Sequence, residues 1–447
     1  MNNLYEAIFY SKKVNELFTN EAIVAAMLRF ESALAKAQAT HNIIQMSAAI
    51  VIERNCKVEK INIEQLIKEA ANGGNINIPL VKQLTSIVKR ENDEAAKYVH
   101  FGATSQDVID TALMIQLKSA VKLIAEELEQ LIKQLKDLTK EHAKTIMVGR
   151  SFMQHARPIT FGYKTAGWLD SLLRSRQAIQ SLLGENFVLQ FGGAVGTLSV
   201  MDKKGLEVSE TMSKELELGL PEKPWHANRD RLATIATTLG ILSGNIGKMA
   251  KDISLLSQTE IGEVMEASEK GKGGSSAMPH KKNPLGCIAI LANAERIPGL
   301  ASTILSSTIQ DHERATGLWH AEWQTITDIV QLTAGSVSQA VKITSGLEVN
   351  KQQMLRNLEL TKGLIYTENI SLALAPKIGK AEAHELMEEC AREARLKNVH
   401  LKEICLAHTV ISKHLKPQQI GKLFDPASSL GMCGVFILKV LNKNFSS

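Results

Sequence analysis

Between Asp107 and Val148 the chain holds no glycine and no proline, and Leu113, Leu117, Val121, Ile124, Leu128, Leu131, Leu135 and Leu138 recur in steps of three and four. That spacing is the apolar seam of a long helix packed against other long helices. At about 1.5 Å per residue the helix would extend roughly 60 Å. A seam so long exceeds what a compact monomer can cover, so it predicts a bundle shared between subunits. Two further long helical patterns run from about Arg229 to Glu266 and from near Leu318 to about Ile343; in the first, Gly240, Gly244 and Gly247 would thin one face for close helix approach. Nearer the start, Thr19 or Asn20 is placed to cap a helix in which Ile23, Val24, Met27, Leu28, Leu34 and Ala35 recur at helical spacing. The segment ANGGNINIP, residues 71–79, marks a connection, and the glycine-rich LQFGGAVGTLS, residues 189–199, reads as a bend at a functional edge. From about Leu360 the helical pieces are shorter and more charged, as in a small end domain.

Composition agrees with a helical reading. Only 10 prolines and 4% aromatic residues in 447 disfavour a strand-rich fold. A net charge of +5 is small for this length and comes without lysine or arginine blocks, which speaks against a nucleic-acid binder and suits a small anionic substrate. Five cysteines without CxxC spacing (Cys56, Cys287, Cys390, Cys405 and Cys433) suggest neither a disulfide framework nor a zinc site. The cytoplasm is therefore the expected compartment. The first residues lack a charged start followed by an apolar core, so no signal peptide is expected. No run approaches the roughly 20 uninterrupted apolar residues of a membrane span.

Candidate chemistry concentrates in GKGGSSAMPHKKNP, residues 271–284. Its first half is a loop by composition, and its second half reads as a helix entrance with Asn283 as N-cap and Pro284 at the first helical position. A helix terminus with Lys281 and Lys282 beside it would hold an anion. The other reading is a capped helix after a surface loop. Two more blocks stand out: HFGATSQDVIDTA (residues 100–112), where Ser105 either contacts substrate or caps the long helix, and GRSFMQHARPITFG (residues 149–162).

The first of these, GSSAMPHKKNP, resembles the signature of the fumarase/aspartase superfamily, GSSxMPxKxNP, with every fixed position filled. The resemblance implies that Ser275 is the base that takes a proton from the carbon next to a carboxylate. Lys281 and Asn283 would bind that carboxylate and stabilise its aci-form, whose two developing charges call for preorganised cations and N–H donors. HFGATSQDVIDTA is similar to the superfamily's first conserved region, which assigns substrate-carboxylate contacts to Thr104 and Ser105, with His100 in the same block. In GRSFMQHARPITFG the Thr-His pair of fumarases, argininosuccinate lyases and adenylosuccinate lyases is replaced by Ser151-Phe152. A histidine stands further along, at His155, as in the bacterial 3-carboxy-cis,cis-muconate cycloisomerase family with its GRTWLQHALP-like motif. An imidazole there is a plausible proton donor or acceptor, with Gln154 beside it for substrate. Similarity to that branch continues through LQFGGAVGTLS, PWHANRDR, KMAKDISLLSQTEIGEV and DHERATGLWHAEW, the last placing Arg314 where relatives anchor a substrate carboxylate. His312 either supports that site or lies on a helix face. Phe152 in place of Trp, Arg157 in place of an apolar residue, and AMPHKK in place of TMPHKR depart from the branch; Arg157 would alter the pocket's charge if it faced inward.

The resemblance implies an all-α fold of three domains: an N-terminal helical domain over 1–111, a central long-helix bundle over 112–359 carrying the catalytic loop 271–284, and a small C-terminal helical domain over 360–447. It implies a homotetramer with shared active sites, no metal and no organic cofactor. The expected activity is interconversion of a 3-carboxymuconate and a carboxymuconolactone, with His155 and Ser275 handling protons and His100, Thr104, Ser105, Gln154, Lys281, Asn283 and Arg314 holding substrate. The alternative is a fumarate-releasing lyase acting on adenylosuccinate or another substituted succinate. A third possibility, a non-catalytic helical scaffold, has no use for an intact serine–lysine loop.

Overall fold

A computed structural model describes residues 4–267, 278 and 281–443. The fold is all-α, with a few short strands. Its principal helices are α1 (Asn20–Thr40), α2 (Ser105–Glu141), α3 (Phe161–Glu185), α4 (Asp230–Leu256), α5 (Leu285–Ser306) and α6 (Leu318–Ser345). Thr19 caps α1 by accepting the Ala22 N–H at 3.2 Å. Helix α2 stops at Glu141, short of the end of the glycine- and proline-free run, because Thr145-Ile146-Met147-Val148 turn into strand β1 (Ile146–Ser151). β-branched residues pack better there than against a preceding helical turn. Strand β1 pairs antiparallel with β2 (Gln154–Thr160), and β3 (Val264–Met265) with β4 (Glu348–Val349).

Two compact units divide the chain: residues 1–129, 174–247 and 289–339 form one, and 130–173, 248–288 and 340–447 the other. In the first unit α1 buries Val24, Met27, Leu28 and Leu34, and α4 approaches α5 closely, a Cβ on Gly247 lying 2.9 Å from Ala294 Cβ and one on Gly240 3.8 Å from Ile297. Gly244 faces open space. In the second unit the short C-terminal helices close their own core of Tyr366, Ile370, Leu374, Met387, Leu401, Ile411 and Phe424.

Two expectations change. From Leu113 to Leu138, the whole seam of α2 is buried within the single chain. It therefore gives no reason of its own for a second subunit, since periodicity reports that a face is covered but not by what. Helix α5 is long and apolar enough to cross a membrane by length and composition, contrary to the sequence expectation. It carries Glu295, Arg296 and Pro298 near its middle, and the Asn293 side chain is buried and donates to Phe9 O and Leu332 O at 3.0 and 3.1 Å. Both features fit a protein interior better than lipid.

Candidate active site

In the first unit a buried carboxylate assembles three of the sequence blocks. Asp107, fully buried, accepts the backbone N–H groups of Thr104 (3.0 Å), Gly192 (3.1 Å) and Gly193 (2.9 Å), and His226 Nε2 lies 2.7 Å from its Oδ1. Thr104 thus precedes the helix while the third helical residue reaches back to its N–H, the return half of a capping box. Ser105 is the first helical residue rather than the cap. The glycine at 193 is obligatory: its φ is +72°, and a Cβ there would stand 2.9 Å from the Gly102 carbonyl oxygen. Arg314 Nη2 donates to the same bend, to Gly193 O (3.1 Å) and Ala194 O (2.8 Å), while its buried Nε has no hydrogen-bond partner. Part of the guanidinium expected to grip substrate is therefore holding backbone. His312 does not lie on a helix face: it is exposed in the turn before α6, with φ +47°.

His100 also departs from ordinary backbone geometry, with φ +60°, and its Nδ1 lies 2.7 Å from Glu31 Oε1 on α1. Burial works against an imidazolium there. The charge and hydrogen bond of Glu31, with a smaller push from Asp107, outweigh it and hold the His100 pKa above its ordinary value. Behind these groups Arg229, 1% exposed, donates bidentately to Asp110 (2.7 and 3.0 Å) and to Glu322 (2.6–3.1 Å), and Trp319 Nε1 adds a bond to Asp110 at 3.0 Å. Two carboxylates share one guanidinium. Burial, partly offset by Arg229 and reinforced by Asp110, pushes the Glu322 pKa up to about 7.

In the second unit the β1–β2 hairpin carries Gln154, exposed, and His155, half-buried. Its two-residue loop is Phe152-Met153, both at positive φ (+48° and +65°), where a tight hairpin prefers Asn-Gly. Phe152 is 99% exposed. His155 pairs in register with Arg150, whose Nη1 and Nη2 donate to the fully buried Glu263 at 2.9 and 2.7 Å; Asn357 Nδ2 adds a 2.7 Å bond to the same carboxylate. Burial, and then the Arg150 charge, lower the His155 pKa against a smaller opposing pull from Glu263; Nδ1 is buried without a partner. The two candidate histidines are tuned in opposite senses, His100 towards the cation and His155 towards the neutral base. Arg157 does not supply charge to a pocket: it pairs with Glu368 and Asn369, each at 2.8 Å.

The helix entrance also differs from expectation. Helix α5 starts at Leu285, so Pro284 precedes it and Asn283 lies one residue further out. The Gly286 and Cys287 N–H groups donate to the Glu266 carboxylate at 3.1 and 2.9 Å. The terminus expected to hold a substrate anion already holds one of the chain's own. Lys281 is exposed and Asn283 half-buried; Ser275 lies outside the described residues. Sequence reasoning missed Glu31, Asp107, Arg150, His226, Glu263 and Glu266. Asp107 alone had a readable signal, as the acidic fourth residue of Thr104-x-x-Asp107.

Comparison with known proteins adds to this geometry. A family model described as lyase matches residues 8–299, and one described as adenylosuccinate lyase C-terminus matches 363–440. The chain is 42% identical over 433 residues to a 3-carboxy-cis,cis-muconate cycloisomerase of Acinetobacter baylyi, covering 96% of each sequence. It superposes on the crystal structure of a 3-carboxy-cis,cis-muconate lactonizing enzyme from Pseudomonas putida with a TM-score of 0.94 and 43% identity over 98% of each chain. A fumarate lyase from Mesorhizobium sp. BNC1 matches with a TM-score of 0.90 and 35% identity, over 99% of this chain and all of the other.

Proposed function

The chain belongs to the fumarase/aspartase superfamily of lyases, and from that premise we propose that it is a cycloisomerase interconverting 3-carboxy-cis,cis-muconate and 4-carboxymuconolactone. The observation that carries the reading is the end-to-end similarity to enzymes of that name, together with a histidine displaced to 155 while Ser151-Phe152 stands where other branches have Thr-His. In the lactone-forming direction one substrate carboxylate oxygen bonds to the alkene carbon β to a second carboxylate. The alkene π electrons move onto that second carboxylate, giving a doubly charged aci-carboxylate, and a proton then closes the α carbon. In reverse the same proton is removed and the C–O bond breaks.

His155 and Ser275 handle the proton in this proposal. The lowered pKa of His155 leaves a neutral imidazole available near pH 7. His100, Thr104, Ser105, Gln154, Lys281, Asn283 and Arg314 bind the carboxylates, and the reaction needs no metal or organic cofactor. Because Glu266 already occupies the Gly286 and Cys287 N–H groups at the start of α5, side chains must supply most of the charge that meets substrate there. We place the enzyme in a homotetramer with shared active sites. Ile241 on α4 and Ile288 and Leu305 on α5 are about half exposed or more, and Gly244 and Gly299 meet nothing within 4 Å, which leaves helix faces open to another copy.

Ultraviolet absorbance tests the assignment. Loss of the muconate chromophore on adding enzyme supports it, and Ser275→Ala should abolish most of that loss; full turnover by Ser275→Ala would remove the serine from the mechanism. The likeness to the Mesorhizobium fumarate lyase keeps a second reading, elimination of fumarate from a substituted succinate. Fumarate appearing from such an adduct, with muconate untouched, would favour it.

A further inference from the structure

Helix α1 holds the segment before α2 at two points one heptad apart. Glu31 meets His100 Nδ1 at 2.7 Å, and Gln38 Nε2 donates to Phe101 O at 2.7 Å. Both α1 residues are essentially fully buried, whereas the His100 side chain stays 17% exposed. Two anchors on consecutive residues explain how a non-glycine residue is kept at φ +60°, a strained conformation that persists only where its surroundings over-determine it. A buried carboxylate is costly unless paired, and the second oxygen of Glu31 has no hydrogen-bond partner. His100 is the ionisable side chain hydrogen-bonded to it. A neutral imidazole would leave Glu31 without a counter-charge.

We propose that Glu31 is a positioning residue that keeps His100 protonated and fixes its ring, so that an imidazolium presents its free Nε2–H to a substrate carboxylate beside Thr104. The proposal rests on the substrate-binding role given to this block above and adds the group that makes the role electrostatic. The acidic groups acting on His100 are Glu31 from α1 and Asp107 from α2, the latter shared with His226. Both favour the charged ring, and burial opposes them.

The test combines a titration with kinetics. In the substrate-free enzyme, NMR of 13C-labelled histidine, with the His100 signal assigned by its loss in His100→Asn, should show His100 titrating above the ordinary 6.5 of imidazole. In Glu31→Gln it should titrate below that value, because burial is then opposed only by the smaller pull of Asp107. KM for the tricarboxylate should then rise about tenfold or more in Glu31→Gln at a pH between the two measured His100 titrations, the scale of one charged hydrogen bond. At a pH below the variant's own His100 titration, where the ring is protonated again, it should return towards the wild-type value. His100→Asn should raise KM at both pH values and cancel any further effect of Glu31→Gln. An unchanged titration in Glu31→Gln, or a defect equal at both pH values, overturns the proposal. The titration needs no substrate, so it is read separately from whether muconate is the substrate.

Discussion

Asp107 ties the start of α2, the Gly192–Gly193 bend and His226 together through one carboxylate. Replacing it with asparagine turns one of its two acceptor oxygens into a donor that faces an N–H group, and removes the charge. Asp107→Asn should cost about 3 kcal/mol or more in denaturant unfolding and lower kcat/KM at the same time. At His155 the opposite pattern is expected. Asparagine there should reduce kcat by about 10²–10⁴ with little change in melting temperature, since the ring is half-buried on a hairpin and its Nδ1 makes no hydrogen bond. The wild-type acid limb of kcat/KM should lie below the ordinary imidazole value, because burial and Arg150 favour the neutral ring. At this scale the sequence was legible where residues form a contiguous motif. Partners brought in from distant segments, such as Glu31 for His100 or Glu263 for Arg150, were not, because a buried carboxylate 69 or 113 residues away leaves no local pattern.

Among the elements, α2, α4 and α6 were legible, but the pattern read to Glu266 overran the end of α4 at Leu256, and α3 was not anticipated. The buried leucine seam of α2 matched its three-four spacing, and Leu128→Ala should destabilise by about 2–5 kcal/mol in chemical denaturation, as for other deeply buried leucines. What spacing could not convey was the cover. Intrachain packing buries that seam, and the expectation of a neighbouring subunit there was misplaced. The start of α5 was misread for a similar reason. The Asn-Pro pair suggested a cap, but the acceptor is Glu266, which lies nineteen residues before the helix begins at Leu285. Glu266→Gln keeps the shape and loses the charge, so it should cost about 1 kcal/mol of stability, most visibly at low salt.

For the whole molecule, the Asp110–Arg229–Glu322 cluster ties stability to pH. Glu322 takes up a proton more readily folded than unfolded, its pKa standing at about 7 against 4.5. Between those values the folded protein binds more protons than the unfolded chain, so the cluster's contribution is full below pH 4.5 and declines as pH rises towards 7. Glu322→Gln should flatten that decline, by about 1–3 kcal/mol in the wild-type-minus-variant difference across the window. A difference that stays constant from pH 4.5 to 7 would contradict it. Light scattering should return the mass of four chains, and a monomer would remove the shared-site proposal. The most direct measurement is the reaction run in heavy water with 3-carboxy-cis,cis-muconate and followed by NMR. Addition of a carboxylate oxygen with protonation at the adjacent carbon requires 4-carboxymuconolactone carrying one deuterium next to its carboxylate. Unchanged muconate, or a lactone without that deuterium, would contradict the proposed chemistry.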